Sequence, residues 1–240
     1  MADPFRDGGH LPKNRPGRKP EPPERLPRQR RGVTPQMHGR YPDYDVLEQA
    51  SHWDPVTRQV VMERVAGPPP VRFFDPAQAA TLQAFCDVVL AQDAEPRIPV
   101  FAMVDDKLAE GRLEGFRYAD MPEDPETWRR VAHGLDQVAG GHFAELDDEE
   151  RRSIVQRFSE GTLSGGVWDE LPCSRAWSVV MRGVLSAFYS HPWAWNEIGY
   201  GGPRYPRGYI RLGVGQREPE VARERFDIDP VTDVQERGLE

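Results

Sequence analysis

The sequence predicts an all-α protein: a small single-domain helical body of about five helices, flanked by long irregular N- and C-terminal arms. Three observations predict it. Apolar residues recur at helical spacing in five stretches between about Val71 and Gly215. Several of these stretches open on an acidic cap or an Asp-Pro pair and close on glycine. No strand-like alternation is strong, and no strand–helix–strand order occurs.

The first helix opens at Asp75-Pro76. Asp75 stands at the N-cap, Pro76 at the first helical position, and Gln78 three residues after the cap. Leu82, Phe85, Cys86, Val89 and Leu90 then share one face, and Phe74 can staple back onto the first turn. Pro96 and Pro99 break the chain. A second helix runs from about Pro99, with Phe101, Val104 and Leu108 inward, to a stop at Gly111. A third starts at Asp124-Pro125 and carries Trp128, Val131, Leu135 and Val138. A fourth is capped by Asp147, with Glu150 completing a capping box, and presents Ile154, Val155 and Phe158 before Gly161. The fifth starts near Ser174. Trp177, Val180, Met181, Val184, Leu185 and Phe188 make it the most apolar of the set, hence the expected central helix.

Length bounds the chain of 240 residues to one or two domains. Its hydrophobic content of 38% is low for a chain folded throughout, and the shortfall is concentrated at the two ends. Residues 1–40 hold ten Lys and Arg against four acids. That is a net of +6 within a chain of net −8, which leaves −14 for the rest. Rich in proline and poor in large apolar residues, this stretch reads as a basic flexible arm. It is a solvated tail, or else it docks on an acidic partner, an anionic membrane or nucleic acid. Nucleic acid fits worst, because the remaining residues are acidic and repel phosphate.

Residues 41–70 read as an extended linker suited to wrapping a partner, with a short strand or helical turn around Thr57–Val65. Gly67-Pro68-Pro69-Pro70 closes it as a stiff spacer. Residues 71–215 form the helical domain with its aromatic, glycine-rich closing loop, and residues 216–240 a charged C-terminal arm.

No run of 18 apolar residues exists, so no transmembrane helix is expected. Arg30-Arg31 resembles the twin arginine of an export signal, but the residues after it are polar where an apolar stretch is needed. A cytoplasmic chain is expected, or one exported or membrane-associated with its partner. Of the two cysteines, Cys86 lies in the apolar face of the first helix. Cys173 follows Pro172 near a helix start, where a thiolate can be stabilised. Two reduced structural thiols are expected, with a disulfide between them left open.

Catalytic and cofactor constellations are mostly absent. There is no GxGxxG after a strand, no P-loop, no CxxC and no HExxH. His133 and His142 are nine apart, which does not place two ligands on one helix face, and both read as surface histidines. The carboxylates Asp147, Asp148, Glu149 and Glu150 are explained by the dipole of the helix that they open. Asp105-Asp106 reads as a solvated helix face.

What remains is Ser190 to Tyr209, SHPWAWNEIGYGGPRYPRGY. Gly and Pro interrupt it every few residues, so a helix is not expected. It is too aromatic for a solvated linker, so it must pack on its own domain, a ligand or a partner protein. Aromatic and Arg side chains are the types enriched at interface centres. The candidate partner-interface residues are therefore His191, Trp193, Trp195, Asn196, Tyr200, Arg204, Tyr205 and Tyr209. For His191 three roles stand open: a cap on the last carbonyls of the central helix, a partner contact, or a catalytic histidine.

The two ends of the body carry a family resemblance. FFDPAQAATLQAFCDVVL, through Phe73, Phe74, Pro76, Leu82, Ala84 and Asp87, resembles the opening helix of the gluconate 2-dehydrogenase subunit 3 family. FYSHPWAWNEIGYGGPRYPRGY resembles that family's closing loop, with Tyr189, His191, Pro192, Gly199, Tyr200 and Gly202 at comparable places. The similarity covers about residues 71–212. It implies a small helical subunit that accompanies a large FAD-dependent dehydrogenase of the glucose-methanol-choline type and binds no redox cofactor itself. It also implies a partner that holds the FAD, with an electron-transfer subunit as a further candidate partner. Many members carry a twin-arginine export signal, and this chain departs from them in the missing apolar stretch.

Overall fold

An aspartate that cannot extend a helix, followed by a proline pre-set for its first turn, starts two of the helices. In α1, Pro55–Val65, Asp54 Oδ1 accepts the N–H groups of Val56 and Thr57. In α2, Pro76–Val89, Asp75 and Gln78 form a complete capping box. A second capping box, Asp147 with Glu150, opens α5, Asp148–Ser159. Between them lie α3, Val100–Ala109, and α4, Asp124–Val138, and after them α6, Cys173–Phe188, and α7, Pro192–Ile198. These come from a computed structural model, which describes residues 44–92, 95–113, 115–208, 218 and 221–222. The basic arm, residues 1–40, and nearly all of residues 216–240 lie outside the described residues. Among the described residues there are no strands, and no helix is long and apolar enough to cross a membrane.

The chain divides into two compact units: Pro68–Phe188, and the chain up to Gly67 together with the chain from Tyr189 onward. The single body expected over residues 71–215 is thus divided at Phe188.

In the first unit, here the body, α2 packs on α4 and α5, while α3 and α4 pack on α6. Phe85, Phe158, Trp168 and Trp177 form an aromatic cluster with centroids 5.0–6.1 Å apart. Fully burying one such ring stabilises by roughly 1.5–3 kcal/mol. Trp168 packs against Gly134 and donates its indole N–H to that residue's carbonyl at 3.2 Å. A Cβ at Gly134 would stand 2.7 Å from the Trp168 ring, so α4 needs glycine there.

Three expectations about the body change. Asp105 is not on a solvated face. It is fully buried and accepts the backbone N–H groups of Arg72, Phe73 and Phe74, tying the entry of the body to α3. Its partners lie more than 30 residues upstream, beyond any local pattern. Leu185, expected inward, is exposed on α6. Cys173 carries no stabilised thiolate, because burial pushes its pKa up. Burial also pushes up the Cys86 thiol, and both cysteines are free.

The second unit corrects two more. The described part of the stretch 41–70, residues 44–70, is not an extended linker. A 3-10 helix spans Val46–His52, with Asp45 accepting the Leu47 N–H, and α1 follows it. Val46, Leu47, Ala50, Trp53, Val61, Met62 and Val65 are buried. The closing segment does contain a helix, α7. Pro192 occupies its first turn, and Gly199, left-handed at φ 68°, ends it.

Candidate functional site

Residues 44–66 and 189–208 pack on one another through α1, α7 and the 3-10 helix, and the pair is here called the clasp. Its geometry is built on His191, which is 1% exposed. The Trp193 N–H donates to His191 Nδ1 at 3.2 Å, so the ring proton sits on Nε2. Nε2 in turn donates to the Arg64 carbonyl, 3.0 Å away at the end of α1. Arg64 answers by donating from Nη1 to the Ser190 carbonyl at 2.6 Å. His191 is therefore the N-cap of α7 and fastens it to α1. It does not cap the last carbonyls of the preceding helix.

Burial depresses the His191 pKa to about 4, against the backbone bond to Arg64, which favours the charged form. The ring is held neutral with both nitrogens committed to backbone groups. No ring nitrogen is left for a substrate.

The other candidates arrange around this hub. Trp193 is buried, with its ring edge-on to His191 at 5.0 Å. Its indole N–H, like that of Trp53, is buried without a hydrogen-bond partner. Trp195 is buried too, donates its indole N–H to the Tyr189 carbonyl at 2.6 Å, and meets the Tyr200 ring edge-on at 5.5 Å. Asn196 reaches the N-terminal stretch. Its Oδ1 accepts the Val46 N–H at 2.8 Å, and its amide donates to Asp45 at 3.4 Å. The Tyr44 hydroxyl donates to the Tyr200 carbonyl at 3.0 Å. Gly202, at φ 75°, lets the chain pass Trp53 and Val46, where a Cβ would stand 2.8 and 3.0 Å from their side chains. Past it, Arg204 is buried and Tyr205 exposed. The Ala222 N–H donates to the Gly199 carbonyl at 3.1 Å.

Of the eight candidates, His191, Trp193, Trp195, Asn196 and Arg204 thus face inward to varying degrees, and Tyr200 and Tyr205 outward. Tyr209 lies outside the described residues. Sequence reasoning missed Tyr44, Asp45 and Arg64, which hold the closing segment from more than 120 residues away. One signal was on offer: Asp54-Pro55 repeats the Asp-Pro start of α2 and marks α1.

A family model described as gluconate 2-dehydrogenase subunit 3 matches residues 76–202, and the chain belongs to that family. Comparison with curated proteins and with solved structures gives no match.

Proposed function

We propose that the chain is a non-catalytic accessory subunit of an FAD-dependent sugar or alcohol dehydrogenase complex. It supports the folding, stability or positioning of a large flavoprotein subunit of the glucose-methanol-choline type, and that subunit holds the flavin. The observation that carries this reading is the family match over residues 76–202, which runs from the first helix of the body into the clasp. The commitment of both His191 nitrogens to backbone supports a structural use of the most suggestive histidine.

Co-expression with the large flavoprotein subunit, pulling on a tag on this chain, tests the reading. The expected result is a stoichiometric complex with flavin absorbance, and a large subunit that is insoluble or flavin-free when made alone. A large subunit that is soluble, flavin-loaded and active without this chain, and that does not co-purify with it, overturns the reading.

A further inference from the structure

The chain is 29% charged, yet from Tyr189 to Pro206 no exposed side chain carries a charge. The acidic and basic residues of that stretch, His191, Glu197 and Arg204, are all buried. What is exposed is Tyr189, Ile198, Tyr200, Tyr205 and Pro206. Turning charge inward and large apolar groups outward runs against the usual surface pattern. It matches the composition of an interface centre, which is depleted of charge and enriched in tyrosine.

Three of these exposed groups, Tyr189, Ile198 and Tyr200, are mounted around Trp195. Trp195 bonds the Tyr189 carbonyl on one side and stacks edge-on with the Tyr200 ring on the other. Ile198 follows Trp195 by three residues in α7, so it lies on the same side of that helix. Tyr44 pins the Tyr200 backbone. A tyrosine mounted in this way loses little rotamer freedom on binding, which raises the affinity it contributes.

We propose that Tyr189, Ile198 and Tyr200 are the docking surface for the large dehydrogenase subunit. The facing patch of that subunit is uncharged and apolar. The proposal rests on the accessory-subunit reading above. Two observations favour that occupant over a second copy of this chain. Tyr189, Ile198 and Tyr200 lie inside the family-matched stretch, residues 76–202, so the surface belongs to what makes the chain a dehydrogenase subunit. The chain also carries a net −8, which disfavours association of two copies. His191, Trp193, Trp195 and Asn196 then act as positioning residues that present the surface from within.

The test is capture of the co-expressed large subunit by the tagged full chain, as wild type and as Y189S/I198S/Y200S, with V71S/L185S as a control on the exposed apolar residues of the body. The triple variant is expected to lose capture by at least about tenfold, as removal of interface anchors does, with an unchanged melting profile. The control is expected to capture normally. If wild type and triple variant capture alike, the docking surface is elsewhere and the accessory reading stands. If the wild type captures nothing, both fall. If the free chain is a dimer that the triple variant dissociates while capture persists, the surface is a self-interface and the proposal is overturned. Should the triple variant fail to fold, tyrosine nitration of the wild type decides. Tyr189 and Tyr200 are expected to react in the free chain and to be protected in the complex; equal reaction in both overturns the proposal.

Discussion

The body and the clasp are held together by different physics. Inside Pro68–Phe188 the core is a layer of interlocked apolar rings, with Phe85, Phe158, Trp168 and Trp177 at its centre. A buried carboxylate there, Asp105, serves three backbone N–H groups. In the clasp, side-chain-to-backbone bonds do the joining. His191 to Arg64, Arg64 to Ser190, Asn196 to Val46 and Tyr44 to Tyr200 each link stretches more than 120 residues apart. The clasp also carries two orphan indole donors, Trp53 and Trp193, whereas Trp168 in the body has its partner. An apolar layer degrades gradually as its area is removed. A joint made of a few directional bonds fails when one atom changes its protonation or position. The body and the clasp therefore need not respond to the same insult.

The largest separation comes from the body. Phe158→Ala removes a fully buried ring from the centre of the aromatic cluster and is expected to cost about 3–5 kcal/mol. Chemical denaturation followed by circular dichroism measures it. A loss below about 1 kcal/mol would mean that the cluster is not the core.

Acid reverses the ranking. The folded value of His191, about 4, lies below its ordinary value of 6.5, so the unfolded chain takes up the proton first. Its contribution is complete above pH ~6.5, falls as the pH drops toward 4, and is lost below that. The difference amounts to roughly 3 kcal/mol. Protonated Nδ1 can no longer accept the Trp193 N–H, so the loss should appear first in the clasp. Hydrogen exchange between pH 7 and pH 4, corrected for intrinsic rates, is expected to show Val46–His52 and α7 opening before α2 and α6. His191→Phe is expected to remove that pH dependence. Simultaneous opening of all four contradicts the separation.

Gly202→Ala is a milder break. It forces a Cβ against Trp53 and Val46 in a left-handed backbone and is expected to cost about 1–3 kcal/mol, read as lost exchange protection in Val46–His52. Unchanged protection would mean that the two stretches do not meet as described.

The smallest effect is expected of Trp193→Phe. It deletes an indole donor that has no partner, so most of the ring packing survives and the cost stays below about 1.5 kcal/mol. Trp168→Phe, which deletes a donor that does have one, is expected to cost more in the same denaturation experiment. The reverse order would mean that orphan donors do not distinguish the clasp from the body.

How far each region could be read from sequence follows from the same difference. The capping boxes of α2 and α5, the glycine stops and the helical spacing of α2 to α6 are local signals, and the structure carries them. Leu185 was misplaced because an apolar run does not say where a helix face ends. Asp105 was misread because the N–H groups it serves lie 31 to 33 residues upstream. In the clasp nearly every signal is non-local. At 7 residues α7 is too short to show a period, and a histidine in the cap position is an unusual choice, although Pro192 at the first turn marked a helix start. The aromatic segment declared that it packs on something. That its scaffold is residues 44–66, and that its tyrosines rather than its tryptophans face out, required coordinates.

That the closing segment is fastened from within by His191 is tested most directly by hydrogen exchange on His191→Phe at pH 7. Loss of protection over Val46–His52, α1 and α7 together, with α2 to α6 unchanged, is the predicted result. Loss confined to α7, or spread evenly over the body, would contradict it.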